Sequence, residues 1–129
     1  MSVQGTVNAR LEPVVRLKIR GPAGVETEVD AVVDTGYTGS LALPATVVAA
    51  LGLVRRSGGQ AVLADGSSRR FDTFGVELDW HSSWRGVVAS ALGGEALVGM
   101  GLLAGSELRV EAVAGGAVEI GPLPWADDV

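Results

Sequence analysis

The tripeptide Asp34-Thr35-Gly36 is where residue type and spacing in this chain combine into chemistry. It follows the apolar run Ala31-Val32-Val33 and precedes a second glycine, Gly39, and the short strand Ser40-Leu41-Ala42-Leu43. A carboxylate at the end of a buried strand, on a glycine turn that lets backbone come close, sits at the floor of a cleft, where it can accept or donate a proton. The same residues also read as a turn in which Asp34 caps its own backbone. Other groups are placed less well for chemistry. His81-Ser82-Ser83 holds residue types of a serine hydrolase, but neighbours in a tight turn do not converge on one reaction centre, and neither serine has a glycine elbow around it. Gly99-Met100-Gly101-Leu102-Leu103-Ala104-Gly105 imitates a dinucleotide loop with the wrong spacing and no βαβ unit after it, so it reads as a structural turn. Glu77 and Asp79 share a strand face that reads as solvated rather than metal-binding. Trp80, Trp84 and Trp125 read as core, rim or interface packing.

Composition narrows the chemistry further. The chain has 129 residues, no cysteine, one histidine and a formal net charge of −5. Without Cys there is no disulfide framework, thiolate zinc site or cysteine nucleophile, and one His rules out a multi-histidine metal site. No metal and no cofactor is expected. An acidic chain with pI near 4.7 lacks the electrostatic footprint of a nucleic-acid binder or of a protein held on anionic membranes. The uncharged stretch from Thr35 to Val54 is broken by Gly36, Gly39, Pro44 and Gly52, so it reads as a loop, a strand and a short helix rather than a membrane span. Nothing from Met1 to Arg20 resembles a signal peptide, and a cytoplasmic location is expected.

The elements that must position Asp34 are mostly strands. Val15, Leu17 and Ile19 alternate with Arg16, Lys18 and Arg20; beyond Gly21-Pro22-Ala23-Gly24, Val25, Thr27, Val29, Ala31 and Val33 alternate with Glu26, Glu28 and Asp30. Opposite charges on the two outer faces set the register of this hairpin: Arg20 opposite Glu26, Lys18 opposite Glu28 and Arg16 opposite Asp30, with a five-residue loop from Gly21 to Val25. Pro44 suits the first turn of a helix that stops at Gly52. Gly59 to Ala64 and Arg69 to Trp80 form a hairpin about Asp65-Gly66-Ser67-Ser68, and Trp84 to Leu92 follows through a tight link. Leu97-Val98-Gly99 is a short buried strand, Met100 to Gly105 a turn or single helical turn, and Ser106 to Val113 with Ala117 to Ile120 a final hairpin. Eight or nine strands with one short helix predict an all-β fold closed into a barrel. One domain over residues 1–129 is expected, its core from about 11 to 121 and its tail, 122–129, flexible after Pro124.

Three stretches in this layout share an order and spacing that resembles the retropepsin-like aspartic proteases, particularly their short single-domain bacterial members. They are Val33-Asp34-Thr35-Gly36-Tyr37-Thr38-Gly39 with the Leu43-Pro44 helix start, Val62-Leu63-Ala64-Asp65-Gly66-Ser67, and Leu97-Val98-Gly99-Met100-Gly101-Leu102-Leu103. The resemblance implies an acid-protease barrel and an endopeptidase that works as a homodimer on peptide or partly unfolded protein. Asp34 would face Asp34 of a second copy, the two carboxylates sharing one proton and activating a water between them. Thr35 would lock the two loops across the dyad and Gly36 would permit the turn. Ala64, Asp65 and Gly66 would form the flap that closes over an extended substrate. Where many family members carry Ala or Ser after the triplet, this chain has Tyr37, which reads as a core or interface aromatic. Thr6 to Arg10 and Ala117 to Ile120 are the candidates for joining the dimer through its termini.

The alternative is a catalytically silent barrel of the same fold, serving as a dimerisation or peptide-binding module. A third reading is a hydrolase of another class using Ser82 or Ser83. With a single Asp-Thr-Gly in 129 residues, one copy of the chain carries half of an aspartic-protease site.

Overall fold

The structure is a computed structural model that describes residues 2–126. Among the described residues there are ten strands and two short helices: β1 (Val3–Val7), β2 (Pro13–Arg20), β3 (Glu26–Val33), β4 (Leu41–Ala42), α1 (Ala45–Leu51), β5 (Arg55–Val62), β6 (Ser68–Trp80), β7 (Ser83–Ala91), β8 (Ala96–Val98), α2 (Met100–Leu103), β9 (Ser106–Val110) and β10 (Ala117–Pro122). They form one sheet in the order β5-β6-β7-β4-β8-β3-β2-β1-β10-β9. Pairing of β6 with β2, through Ile19 opposite Leu78 and Arg20 opposite Glu77, closes six of these strands into a barrel. An all-β barrel with a short helix is therefore the fold.

The interior follows from period-two alternation. Val15, Leu17 and Ile19 of β2, Ala31 and Val33 of β3, Val76, Leu78 and Trp80 of β6, and Ala96 and Val98 of β8 point inward and are buried. Leu41 and Leu43 join them, with Val48 and Leu51 of α1 closing one side. Among the described residues no buried side chain is polar or charged. Pro44 stands just before α1 as its N-cap residue, and Gly52 ends it in the left-handed region at φ 60°.

The β2–β3 register is the one the charges predict, Arg16 opposite Asp30, Lys18 opposite Glu28 and Arg20 opposite Glu26 across a five-residue loop. Arg16 bonds Asp30 straight across at 3.0 Å, but the other contacts of these side chains depart from the β2–β3 register. Lys18 reaches Glu26 at 3.2 Å, Arg16 adds Glu28 at 3.5 Å to its bond with Asp30, and Arg20 turns to Glu77 at 2.9 Å. Barrel closure brings β6 alongside Arg20, whose guanidinium also stacks 4.0 Å from the Trp84 ring centroid. Glu77 is therefore a surface ion-pair partner, its carboxyl held below the usual range by the bond from Arg20.

Several boundaries differ from the sequence expectation. β1 has its apolar alternation broken by Gly5, which lies so close to β2 that a Cβ would overlap the Val14 carbonyl. β5 begins four residues earlier than the apolar pattern indicates, because the β6 ladder holds the polar stretch from Arg55 to Gly58 extended. The terminal segments expected to reach a second copy are used within one chain: Val3, Gln4, Gly5 and Thr6 pair with Ile120, Glu119, Val118 and Ala117, and Asn8 to Glu12 is a turn. In the expected flexible tail, Pro122 ends β10, the Leu123 N–H donates to Gly105 and Ala126 is buried, while residues 127–129 lie outside the described residues.

Candidate active site

Asp34 owes its position to a crossing of the chain. β3 and β4 are consecutive in sequence but not neighbours, because β8 lies between them, parallel to β3 and antiparallel to β4. The loop from Asp34 to Ser40 must therefore pass over the end of β8 where the chain turns into α2. Four backbone hydrogen bonds hold it there. The Asp34 N–H donates to Val98 (2.8 Å), Gly99 to Ser40 (3.0 Å), Met100 to Tyr37 (2.7 Å) and Gly101 to Gly39 (3.1 Å). Glycine is needed at the crossing: a Cβ on Gly99 would overlap the Gly39 carbonyl, and one on Gly101 would lie 3.0 Å from Gly39 C and Thr38 O.

On this loop Asp34 is half-buried, with Thr35 and Gly36 exposed beside it. The Gly36 N–H donates to Asp34 Oδ1 at 2.9 Å, while Oδ2 takes no hydrogen bond from the described residues. The capping reading of the tripeptide is met: one oxygen caps the turn and fixes the side chain, and the other takes no such bond. Tyr37 does not point at the carboxylate. Its ring lies against Gly39 and Gly99, a Cβ on the latter falling 2.6 Å from Cδ2, and its hydroxyl donates a long 3.4 Å bond to the Leu41 carbonyl. It packs the loop onto the β8–α2 corner.

The face beside Asp34 is apolar. Val32, two residues earlier on β3, stands between Val14 of β2 and Leu97 of β8 in one cross-strand row, and all three are half-buried. A concavity of about 570 Å³ lies to one side and is not lined by Asp34; Ser40 connects it to the loop, and Val54, Arg56, Arg85 and Val88 are among its walls.

The hairpin of β5 and β6 carries Ala64, Asp65 and Gly66 at its tip, all exposed. β6 pairs with β5 from Ser68 to Phe74 but with β7 only from Asp72 onward, so the outer half of the hairpin is a two-stranded arm. Its turn is built locally. The Leu63 N–H donates to Ser67 at 2.7 Å, Gly66 sits at φ 85°, and Asp65 Oδ1 accepts from the Ser67 hydroxyl (2.5 Å) and N–H (2.9 Å). These bonds hold the Asp65 carboxyl below its ordinary range, the hydroxyl contributing most. Arg69 leans from the arm toward the next loop, where a Cβ on Gly93 would meet its guanidinium at 2.8 Å. No hydrogen bond or ion pair joins the hairpin tip to the Asp34 loop among the described residues.

The remaining sequence candidates are structural or surface groups. His81 and Ser82 make the two-residue link between β6 and β7 with φ of 52° and 67°, and the His81 ring bonds Ser106 Oγ at 2.9 Å. Trp80 is buried, Trp84 lies under Arg20 and Trp125 is exposed. Sequence reasoning missed the Arg20–Glu77–Trp84 group and the Arg69 contact, since both depend on strands brought together only by barrel closure and arm geometry. Among the described residues no helix is long and apolar enough to cross a membrane.

No family model and no curated protein sequence matches this chain. Its structure is similar to the crystal structure of a retropepsin-like aspartic protease from Rickettsia conorii, with a TM-score of 0.60 and 13% sequence identity over 95% of this chain and 90% of that one. At that identity the likeness speaks for the fold, and the barrel that carries Asp34 is a retropepsin-like one.

Proposed function

We propose that this chain is an aspartic endopeptidase whose catalytic centre forms when Asp34 of two copies meet. The observation that carries the proposal is the Asp34 loop itself. A carboxylate is fixed through Oδ1 with Oδ2 unengaged, on a loop clamped over β8 in a retropepsin-like barrel. One carboxylate cannot take the water's proton and donate a proton to the amide carbonyl at the same moment. Two held close cannot both ionise readily, so they share a proton. The ionised member then takes a proton from the water as it attacks the scissile carbonyl, and the protonated member polarises that carbonyl. The proton passes finally to the leaving nitrogen, so charge balances over the cycle.

Thr35 and Gly36, exposed beside Asp34, are the residues of this loop that a second copy would meet first. Val14, Val32 and Leu97 offer an apolar lining for substrate side chains. The β5–β6 arm, with Val62 75% and Leu63 44% exposed, supplies an apolar tip and free backbone to an extended peptide. Cleavage of a broad peptide library from acidic to neutral pH by wild type and by Asp34→Asn tests the reading. Loss of cleavage in the variant, with folding retained, is expected. Equal cleavage by both refutes the aspartic mechanism, and a wild type that binds peptides without cutting any replaces it with a binding module.

A further inference from the structure

The sheet leaves one strand edge that is complementary to itself. Among the described residues β1 is paired on both sides, by β2 and β10, and β10 by β1 and β9, but β9 has a partner only in β10. The Glu111 N–H donates to Ala117 and the Leu123 N–H to Gly105, which with the register places Glu107 and Arg109 at hydrogen-bonded positions facing β10. By alternation, the N–H and C=O groups of Ser106, Leu108 and Val110 point outward from the edge. Glu107, Arg109 and Val110 are exposed.

An open edge is usually guarded by like charges or bulges. Here it carries one acid and one base placed symmetrically about Leu108. We infer that β9 pairs antiparallel with β9 of a second copy, with the two-fold axis at Leu108, making a continuous sheet β1-β10-β9 and its mate. In that register Leu108 faces the partner's Leu108 as a hydrogen-bonded pair, which its outward backbone groups permit. Ser106 faces the partner's Val110, covering a valine that is 39% exposed. Glu107 faces the partner's Arg109 at the closely spaced non-hydrogen-bonded position, twice by symmetry. Centring the axis on Glu107 or Arg109 instead sets like charges opposite each other. The other edge, β5, has no such pattern, its own charges being Arg55 and Arg56.

This inference rests on the two-copy site proposed above and names the surface that joins the copies. β9 follows α2, the single turn that Gly99 precedes, after two residues, so the edge is tied by a short segment to the clamp under Asp34. It also replaces the terminal strands as the joining element, since their backbone groups are already paired within one chain.

Association measured by analytical ultracentrifugation tests it without reference to activity. Glu107→Arg turns two opposite-charge pairs into two like-charge pairs and is expected to raise the dimer dissociation constant about thirtyfold, about 2 kcal/mol at 1.4 kcal/mol per tenfold. Adding Arg109→Glu restores attraction and the dimer. The loss of Arg109 opposite Glu119 in its own chain falls on monomer and dimer alike. Val110→Pro removes an outward N–H without touching the β9–β10 ladder and is expected to weaken the dimer with the monomer folded. Because the chain has no cysteine, a mixture of Glu107→Cys and Arg109→Cys proteins should form the mixed disulfide in preference to either symmetric one, the opposed Cα atoms being about 4.5 Å apart. A wild-type dimer whose dissociation constant is unmoved by both Glu107→Arg and Val110→Pro overturns the β9 interface and leaves the role of Asp34 standing, which Asp34→Asn reads separately. A wild type that stays monomeric at millimolar concentration overturns the interface and the shared site together.

Discussion

Replacing Gly99 by alanine probes the clamp that places Asp34. The backbone at Gly99 is extended, φ −104° and ψ 176°, so alanine meets no conformational penalty there. What it meets is the crossing loop. Its methyl group would overlap the Gly39 carbonyl and stand 2.6 Å from Tyr37 Cδ2 and 2.7 Å from Tyr37 O. Two of those three atoms are backbone, pinned by the bonds from Gly101 to Gly39 and from Met100 to Tyr37. Overpacking of this kind costs about 1–3 kcal/mol, and relief by lifting the loop breaks hydrogen bonds worth about 1 kcal/mol each. A loss of about 2–4 kcal/mol follows, and the proposed peptidase activity should fall as Asp34 shifts. Gly86→Ala is the control, because a Cβ there has nothing within 4 Å and φ is not positive. It should be neutral or stabilising by about 0.4–1 kcal/mol through the unfolded chain. Urea unfolding at one fixed protein concentration measures both, with the m-value checked for constancy. If both variants fall within about 0.5 kcal/mol of wild type, the clamp does not position the loop as described.

Tyr37→Phe removes only a 3.4 Å hydrogen bond and should change stability by less than about 1 kcal/mol, whereas Tyr37→Ala empties the space against Gly39 and Gly99 and should cost about 3 kcal/mol or more; thermal or urea unfolding separates the two. Asp65 has its folded-state carboxyl lowered by Ser67, so the turn at the arm's tip is stabilised above the unfolded carboxylate value and loses that support as pH falls through the lower folded value. Ser67→Ala should move the Asp65 titration seen by NMR to higher pH and open the tip to proteolysis at a higher pH than in wild type. No upward movement of the Asp65 titration means that the hydroxyl bond is not what lowers it.

Much of the framework of the candidate site was legible because it depends on local rules. The apolar strand before Asp34, the glycines after it and the Leu43-Pro44 helix start read off directly, and alternating charge on β2 and β3 was enough to set their register, since a one-residue slip would put Arg16, Lys18 and Arg20 inside the barrel. What was not legible depends on which distant strands meet. Nothing near Arg20 indicates that Glu77, on a strand 57 residues away, takes it from Glu26. Gly5 hid β1, because the glycine that breaks the apolar pattern is the one the close approach to Val14 requires. The pairing of β1 with β10 inside one chain, which leaves β9 as the open edge, follows from the closed topology and has no local signal. The clamp glycines lie in between: Gly99 and Gly101 read from sequence as a turn, and only the passage of the Asp34 loop over β8 shows why that turn cannot carry side chains.

Mixing wild type with Asp34→Asn at constant total concentration, well above the dimer dissociation constant, tests most directly whether Asp34 from two copies forms one catalytic centre. If a dimer needs both carboxylates, an equal mixture after exchange retains about one quarter of wild-type peptidase activity, because only wild-type pairs are competent, and activity falls as the square of the wild-type fraction. An equal mixture that retains about one half, with activity linear in the wild-type fraction, contradicts a shared site.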